Sequence, residues 1–97
     1  MTVARLYIMH AQEGHDGVLE AALSYLADGV RTMKGCEGVE LLRDTGNERR
    51  FVFIEKWESE EAHGSALSSL PKEVMAPVMA ALDGPPDGSY FDYLKVL

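Results

Sequence analysis

Cys36 is the only cysteine in the 97 residues. A single thiol excludes an internal disulfide and any multi-cysteine metal site, and it fits a reducing compartment. No basic neighbour or helix N-terminus stands beside it to favour a thiolate, so it reads as a small apolar residue opening a strand. Positive charge is also scarce. Nine Lys and Arg stand against 16 Asp and Glu, for a net charge of −7. Such a surface repels phosphate backbones, so no nucleic-acid partner is expected. No apolar run reaches membrane-spanning length, and the N-terminus lacks the basic-then-apolar pattern of a secretory leader. A cytoplasmic protein with no membrane partner is the expectation. There is no glycine-rich phosphate loop, and His10, His15 and His63 match no metal-ligand spacing. Bound flavin and metal are therefore not expected.

The remaining composition is that of one globular domain spanning residues 1–97, with 46% apolar and 26% charged residues. Val3 to His10 has strand composition. "QEGHDG" is a turn, with Asp16 placed to cap a helix. Leu19, Ala22, Leu23, Leu26, Val30 and Met33 then recur at helical steps, and Gly35 follows as a stop. "CEGVELLRD" and "RRFVFIEKW" are two strands joined by the short polar turn "DTGNE", which makes a hairpin. Ser59 caps a second helix, with Glu60 and Glu61 at the positive end of its dipole. Its apolar face runs through Ala62, Ala66, Leu70, Val74, Val78 and Leu82. Pro71 is expected to break that helix and open a second piece, with Pro77 inside it. "DGPPDG" is a rigid turn, and Ser89 to Leu97 alternates as a last strand.

The order is βαββαβ. Right-handed crossovers turn that order into an α+β, ferredoxin-like domain: a four-stranded antiparallel sheet with both helices on one face. Phe51, Val52, Phe53 and Ile54 are apolar without a break, so this strand expects burial on both faces. A chain this small has nothing left to cover the second face. A second copy, sheet against sheet, is the simplest cover, and a homodimer is expected.

"GCEGVELLRD" after the first helix, "FVFIEKWESEEAHGSAL" across the third strand and second helix, and the closing "YFDYLKV" resemble the antibiotic biosynthesis monooxygenase (ABM) domain. The resemblance runs over essentially the whole chain, with Glu55 to Ala62 as its hallmark. It implies a dimeric α/β barrel. It constrains the chemistry less, because one fold serves several activities. In haem-degrading relatives an asparagine on the first strand, a tryptophan and a histidine recur. Strand "VARLYIMH" has no asparagine here, Ala66 matches the tryptophan and the region of Ala76 the histidine, so haem degradation is disfavoured. Cofactor-independent monooxygenases of phenolic or quinol rings are more similar. Trp57 matches their tryptophan, and His63 stands where the actinorhodin-type enzyme has a tyrosine. Phe53 replaces their asparagine, a loss of a polarising amide that favours the alternative of a non-catalytic ligand-binding or structural dimer module.

Each candidate residue has two readings. Trp57 either packs at a strand end or walls a pocket for a flat aromatic ligand. His63 is either an exposed or capping residue of the helix's first turn or a general base near neutral pH. Glu55 shares a strand face with Trp57 and is expected to pair with Arg43 or Arg50 across the hairpin. Tyr7, Tyr90 and Tyr93 are either sheet residues or lining of a cavity between sheet and helices. Phe53 is placed with them as a substrate contact. Met75 and Met79 supply adaptable packing or pocket wall. Arg5, among small and apolar neighbours, is expected to reach a carboxylate across the dimer.

Overall fold

The computed structural model describes residues 1–97. The elements follow the expected order: β1 (Val3–His10), α1 (Asp16–Val30), β2 (Cys36–Asp44), β3 (Asn47–Trp57), α2 (Glu60–Ser69), α3 (Lys72–Ala81) and β4 (Asp87–Asp92). The strands form one four-stranded sheet in the order β2-β3-β1-β4, with every pairing antiparallel. This is the ferredoxin-like arrangement, its second helical crossover divided into α2 and α3.

Alternation sorts the central strands into two faces. Phe51, Phe53, Glu55 and Trp57 of β3 lie opposite Met9, Tyr7, Arg5 and Val3 of β1. This inner face receives the α1 stripe of Leu19, Leu23, Leu26 and Val30, all buried. Fully burying one such side chain stabilises the fold by about 1.5–3 kcal/mol. Val78 and Ala81 of α3 complete the layer. The outer face pairs Leu6 and Ile8 with Ile54 and Val52, and Val52 in turn lies opposite Leu42. No helix covers that side, and Leu42 and Phe91 are about half exposed (47% and 52%).

Element ends differ from the sequence reading at four places. The hairpin turn is only Thr45 and Gly46, because Asp44 ends β2 and pairs with Asn47, which opens β3. Asp16 is the first residue of α1 and not its cap. The turn Gln12–His15 runs straight into the helix, and Leu19 N–H already donates to the His15 carbonyl. Asp16 acts on the helix dipole instead. At its other end α1 stops at Val30. Met33 N–H donates to Val30 and Cys36 N–H to Met33 in a turn that closes on Gly35. Gly35 has φ +88°, and a Cβ there would meet Ala62 Cβ at 2.8 Å, so both conformation and packing demand glycine. The last strand occupies Asp87–Asp92, not Ser89–Leu97. Asp92 lies opposite Val3, where β1 begins, so residues beyond it have no strand to pair with.

The proline expectation holds. Ser59 caps α2, its hydroxyl accepting from Ala62 N–H at 3.0 Å. The helix ends at Ser69, Pro71 caps α3, and Pro77 sits inside α3. No helix is long and apolar enough to cross a membrane.

Candidate active site

The inner face of the sheet, the far end of α1 and the two pieces of the divided crossover do not close completely. They leave a cavity of about 280 Å³. Its walls are chiefly apolar. Leu26, Val30 and Met33 come from α1 and its end, Phe53 and Trp57 from β3, and Ala66, Leu70, Met75, Val78 and Met79 from the α2–α3 segment. Four lining residues carry chemistry: Arg5, Tyr7, Glu55 and His63.

His63 lies at the centre of this group. It falls on the face of α2 turned to the sheet, one turn beyond Ser59, and is only 4% exposed. That overturns its reading as an exposed or capping residue. Its Nε2 lies 2.9 Å from the Tyr7 hydroxyl and its Nδ1 2.6 Å from the Tyr90 hydroxyl. The Trp57 and Tyr90 rings meet the imidazole edge-on. Burial and, secondarily, the charge of Arg5 lower the pKa of His63 below its usual 6.5. The ring is therefore neutral at pH 7, with one N–H and one lone pair. One tyrosine donates to it and the other accepts from it.

Glu55 does not pair with Arg43 or Arg50. Strand parity explains why. Arg50 is an odd number of residues from Glu55 and points to the opposite face. Arg43 lies opposite Phe51, four residues down β3, or about 13 Å at strand rise. Arg43 instead pairs with Glu20 on α1 at 2.7 Å, and Arg50 with Asp44 at 3.1 Å. Glu55 turns inward, accepts the Trp57 indole N–H at 2.9 Å and lies 3.5 Å from His63 Nε2. Burial raises its pKa above the ordinary 4.5, against the indole hydrogen bond and Arg5, which both favour the carboxylate. The Trp57 indole is thus both a cavity wall and the group that fixes the Glu55 carboxyl beside the histidine.

Tyr7 lines the cavity, and burial raises the pKa of its phenol despite the nearby Arg5. Phe53, fully buried, Met75 and Met79 also line it, as the sequence suggested. Tyr90 backs His63 from β4 and does not itself form the wall. Tyr93 is a correction. It lies past the end of β4, 41% exposed, with the Lys56 ammonium 5.2 Å from its ring centre. His10 and His15 are both exposed and stand apart from His63. No three His, Cys, Asp or Glu side chains converge anywhere. Cys36 is half-buried, and burial pushes its thiol pKa up.

Three contributors were missed as site residues: Gly88, Glu55 and Arg5, the last expected to reach across a dimer but lining the cavity. Gly88 on β4 faces Tyr7. A Cβ there would come within 2.6 Å of Arg5 Nη2 and 2.8 Å of the Tyr7 ring, so its missing side chain is the space those groups occupy. In the sequence Gly88 closes the turn "DGPPDG", so no strand pattern marked it. Glu55 was seen but assigned to the wrong partner.

Compared with known proteins, residues 1–71 match the sequence model of the antibiotic biosynthesis monooxygenase family. A sequence comparison with curated proteins finds no match. Several solved structures share the fold. SnoaB, a cofactor-independent oxygenase from Streptomyces nogalater, superposes with a TM-score of 0.86 at 18% identity, over 99% of this chain and 96% of its own. A proposed antibiotic biosynthesis monooxygenase from Bordetella bronchiseptica gives 0.84 at 21% identity, over 99% and 98%. Rv0793 from Mycobacterium tuberculosis gives 0.84 at 19% identity, over 99% and 98%. At these identities the likeness establishes the fold.

Proposed function

The chain belongs to the antibiotic biosynthesis monooxygenase family, and from that premise we propose that it oxidises a phenolic or quinol-like aromatic with O₂, without a cofactor. The observation that carries this reading is a buried imidazole hydrogen-bonded to tyrosine at the edge of an apolar cavity. A flat aromatic suits walls of Trp57, Phe53 and methionine.

In the proposed sequence the substrate hydroxyl hydrogen-bonds to Tyr7. Its proton passes to the Tyr7 oxygen as the Tyr7 proton moves to His63 Nε2, with Tyr90 holding the ring from Nδ1. The resulting electron-rich anion gives one electron to O₂, and the two radicals join through a new C–O bond. Loss of water from the hydroperoxide leaves a carbonyl. For an anthrone-like carbon the balance is CH₂ + O₂ → C=O + H₂O. Substrate supplies all the electrons, so no external reductant is required. Apolar walls keep water from the anion and the hydroperoxide.

The homodimer belongs to the same proposal. Leu6, Ile8, Leu42, Val52, Ile54 and Phe91 form an apolar outer face that a second copy would cover. Closed against its mate, each sheet becomes half of an α/β barrel.

Phe53 favours the second reading, a binding module without turnover. It is fully buried where the resemblance implies a polarising amide. Oxygen-electrode assays with anthrone and 1,4-dihydroxynaphthalene separate the two. Protein-dependent uptake in the absence of added cofactor is expected. Uptake at the buffer rate with every phenol and quinol tried supports the module.

A further inference from the structure

We infer that Arg5 is an anion-recognition residue and that the aromatic ligand of this cavity carries a carboxylate. The inference rests on the aromatic-oxidation reading above and narrows its substrate class. Arg5 is the only permanent cation lining the cavity. Its guanidinium carbon lies 4.9 Å from the Tyr7 ring centre and 4.4 Å from that of Tyr90. Two aromatic rings thus hold the planar group by its faces, with the Tyr7 hydroxyl also within its reach. No carboxylate oxygen lies within 4.0 Å of it, although Arg43 and Arg50 each have such a partner. Its buried Nε has no hydrogen-bond acceptor.

An arginine cannot discard its charge, and an unpaired cation against apolar walls is costly. The nearest acid of the cavity, Glu55, is turned to Trp57 and held toward its protonated form by burial. The protein therefore supplies the cation and leaves its acceptor to the ligand. Gly88 keeps the place open, since any side chain there would displace Nη2. Guanidinium matches a carboxylate in two parallel hydrogen bonds, which orients as well as attracts. A ligand anchored there would lie with its ring across Tyr7, its hydroxyl within reach of the Tyr7–His63 pair. The net charge of −7 makes the preference diagnostic, because the protein as a whole repels anions.

Isothermal titration of two matched probes, 1-naphthol and 1-hydroxy-2-naphthoate, tests the assignment at pH 7. The carboxylate should bind at least about tenfold more tightly, the scale of a charge-assisted pair. Arg5→Gln should erase that preference and leave 1-naphthol within about threefold of wild type, while Arg5→Lys retains part of it. Equal binding of both probes to wild type overturns the inference, whether or not the variants fold. So does a preference that survives in a folded Arg5→Gln. In both cases binding of 1-naphthol leaves the aromatic reading intact. Failure of both probes to bind wild type overturns the Arg5 assignment and the aromatic reading together.

Discussion

Replacing His63 by alanine removes the group that ties α2 to the sheet, and its cost follows from the contacts. The imidazole is 4% exposed and touches Trp57 edge-on, so its loss leaves a gap among packed side chains. The Tyr7 contact at 2.9 Å is half-buried, and losing it costs about 1 kcal/mol. The Tyr90 contact costs less, because that residue is 36% exposed and its hydroxyl rehydrates. With the packing loss added, His63→Ala should destabilise the fold by about 2–3 kcal/mol, a large share of the ~5–15 kcal/mol typical of a domain. Thermal unfolding followed by circular dichroism should show Tm lower by roughly 10–20 °C. Activity, measured well below that lowered Tm, should fall by roughly 10²-fold, the low end for losing a general base. A Tm within about 2 °C of wild type would refute the buried, doubly bonded histidine. Full activity in a folded variant would move the base to Tyr7.

Two further outcomes are expected. For pH, the buried pair sets opposing slopes. His63 has a lowered folded pKa, so its contribution is complete above 6.5 and is lost as pH falls through that lowered value. Glu55 has a raised folded pKa, so its contribution is complete below 4.5 and is lost as pH rises through that raised value. The two oppose each other between 4.5 and 6.5. Glu55→Gln should unmask the histidine, making urea stability fall more steeply with acid than in wild type. An unchanged slope would mean the two groups do not titrate as their burial requires. For assembly, sedimentation equilibrium at micromolar protein should give about twice the chain mass, and Ile54→Lys should reduce it to one chain mass. A stable wild-type monomer would contradict the covered outer face.

Much of this architecture was readable because its determinants are local. The α1 stripe, the hairpin turn, Ser59 and Pro71 each act within a few residues, and the observed elements follow them closely. Tyr93 was misplaced because the end of β4 is set by where β1 begins, a contact some ninety residues away in sequence. Glu55 was misassigned although strand parity alone placed it inward with Phe51, Phe53 and Trp57. The burial of His63 was also within reach. It precedes Ala66 and Leu67 by three and four residues, the spacing that put those residues on the apolar face of α2. What no pattern revealed is the convergence of Arg5, Tyr7, His63 and Tyr90, because three separate strands and helices meet there only once the crossovers close. The solitary arginine in an apolar strand was visible, but its stacking on two rings was not.

The proposed reaction is direct attack of O₂ on an aromatic anion held in this cavity. Mass spectrometry of the product formed from anthrone under ¹⁸O₂, using protein freed of metal by chelation, tests it most directly. One ¹⁸O atom is expected in the new carbonyl, at a rate proportional to protein concentration and unaffected by chelator. Product oxygen drawn from water, or a rate no greater than that of the protein-free solution, would contradict it.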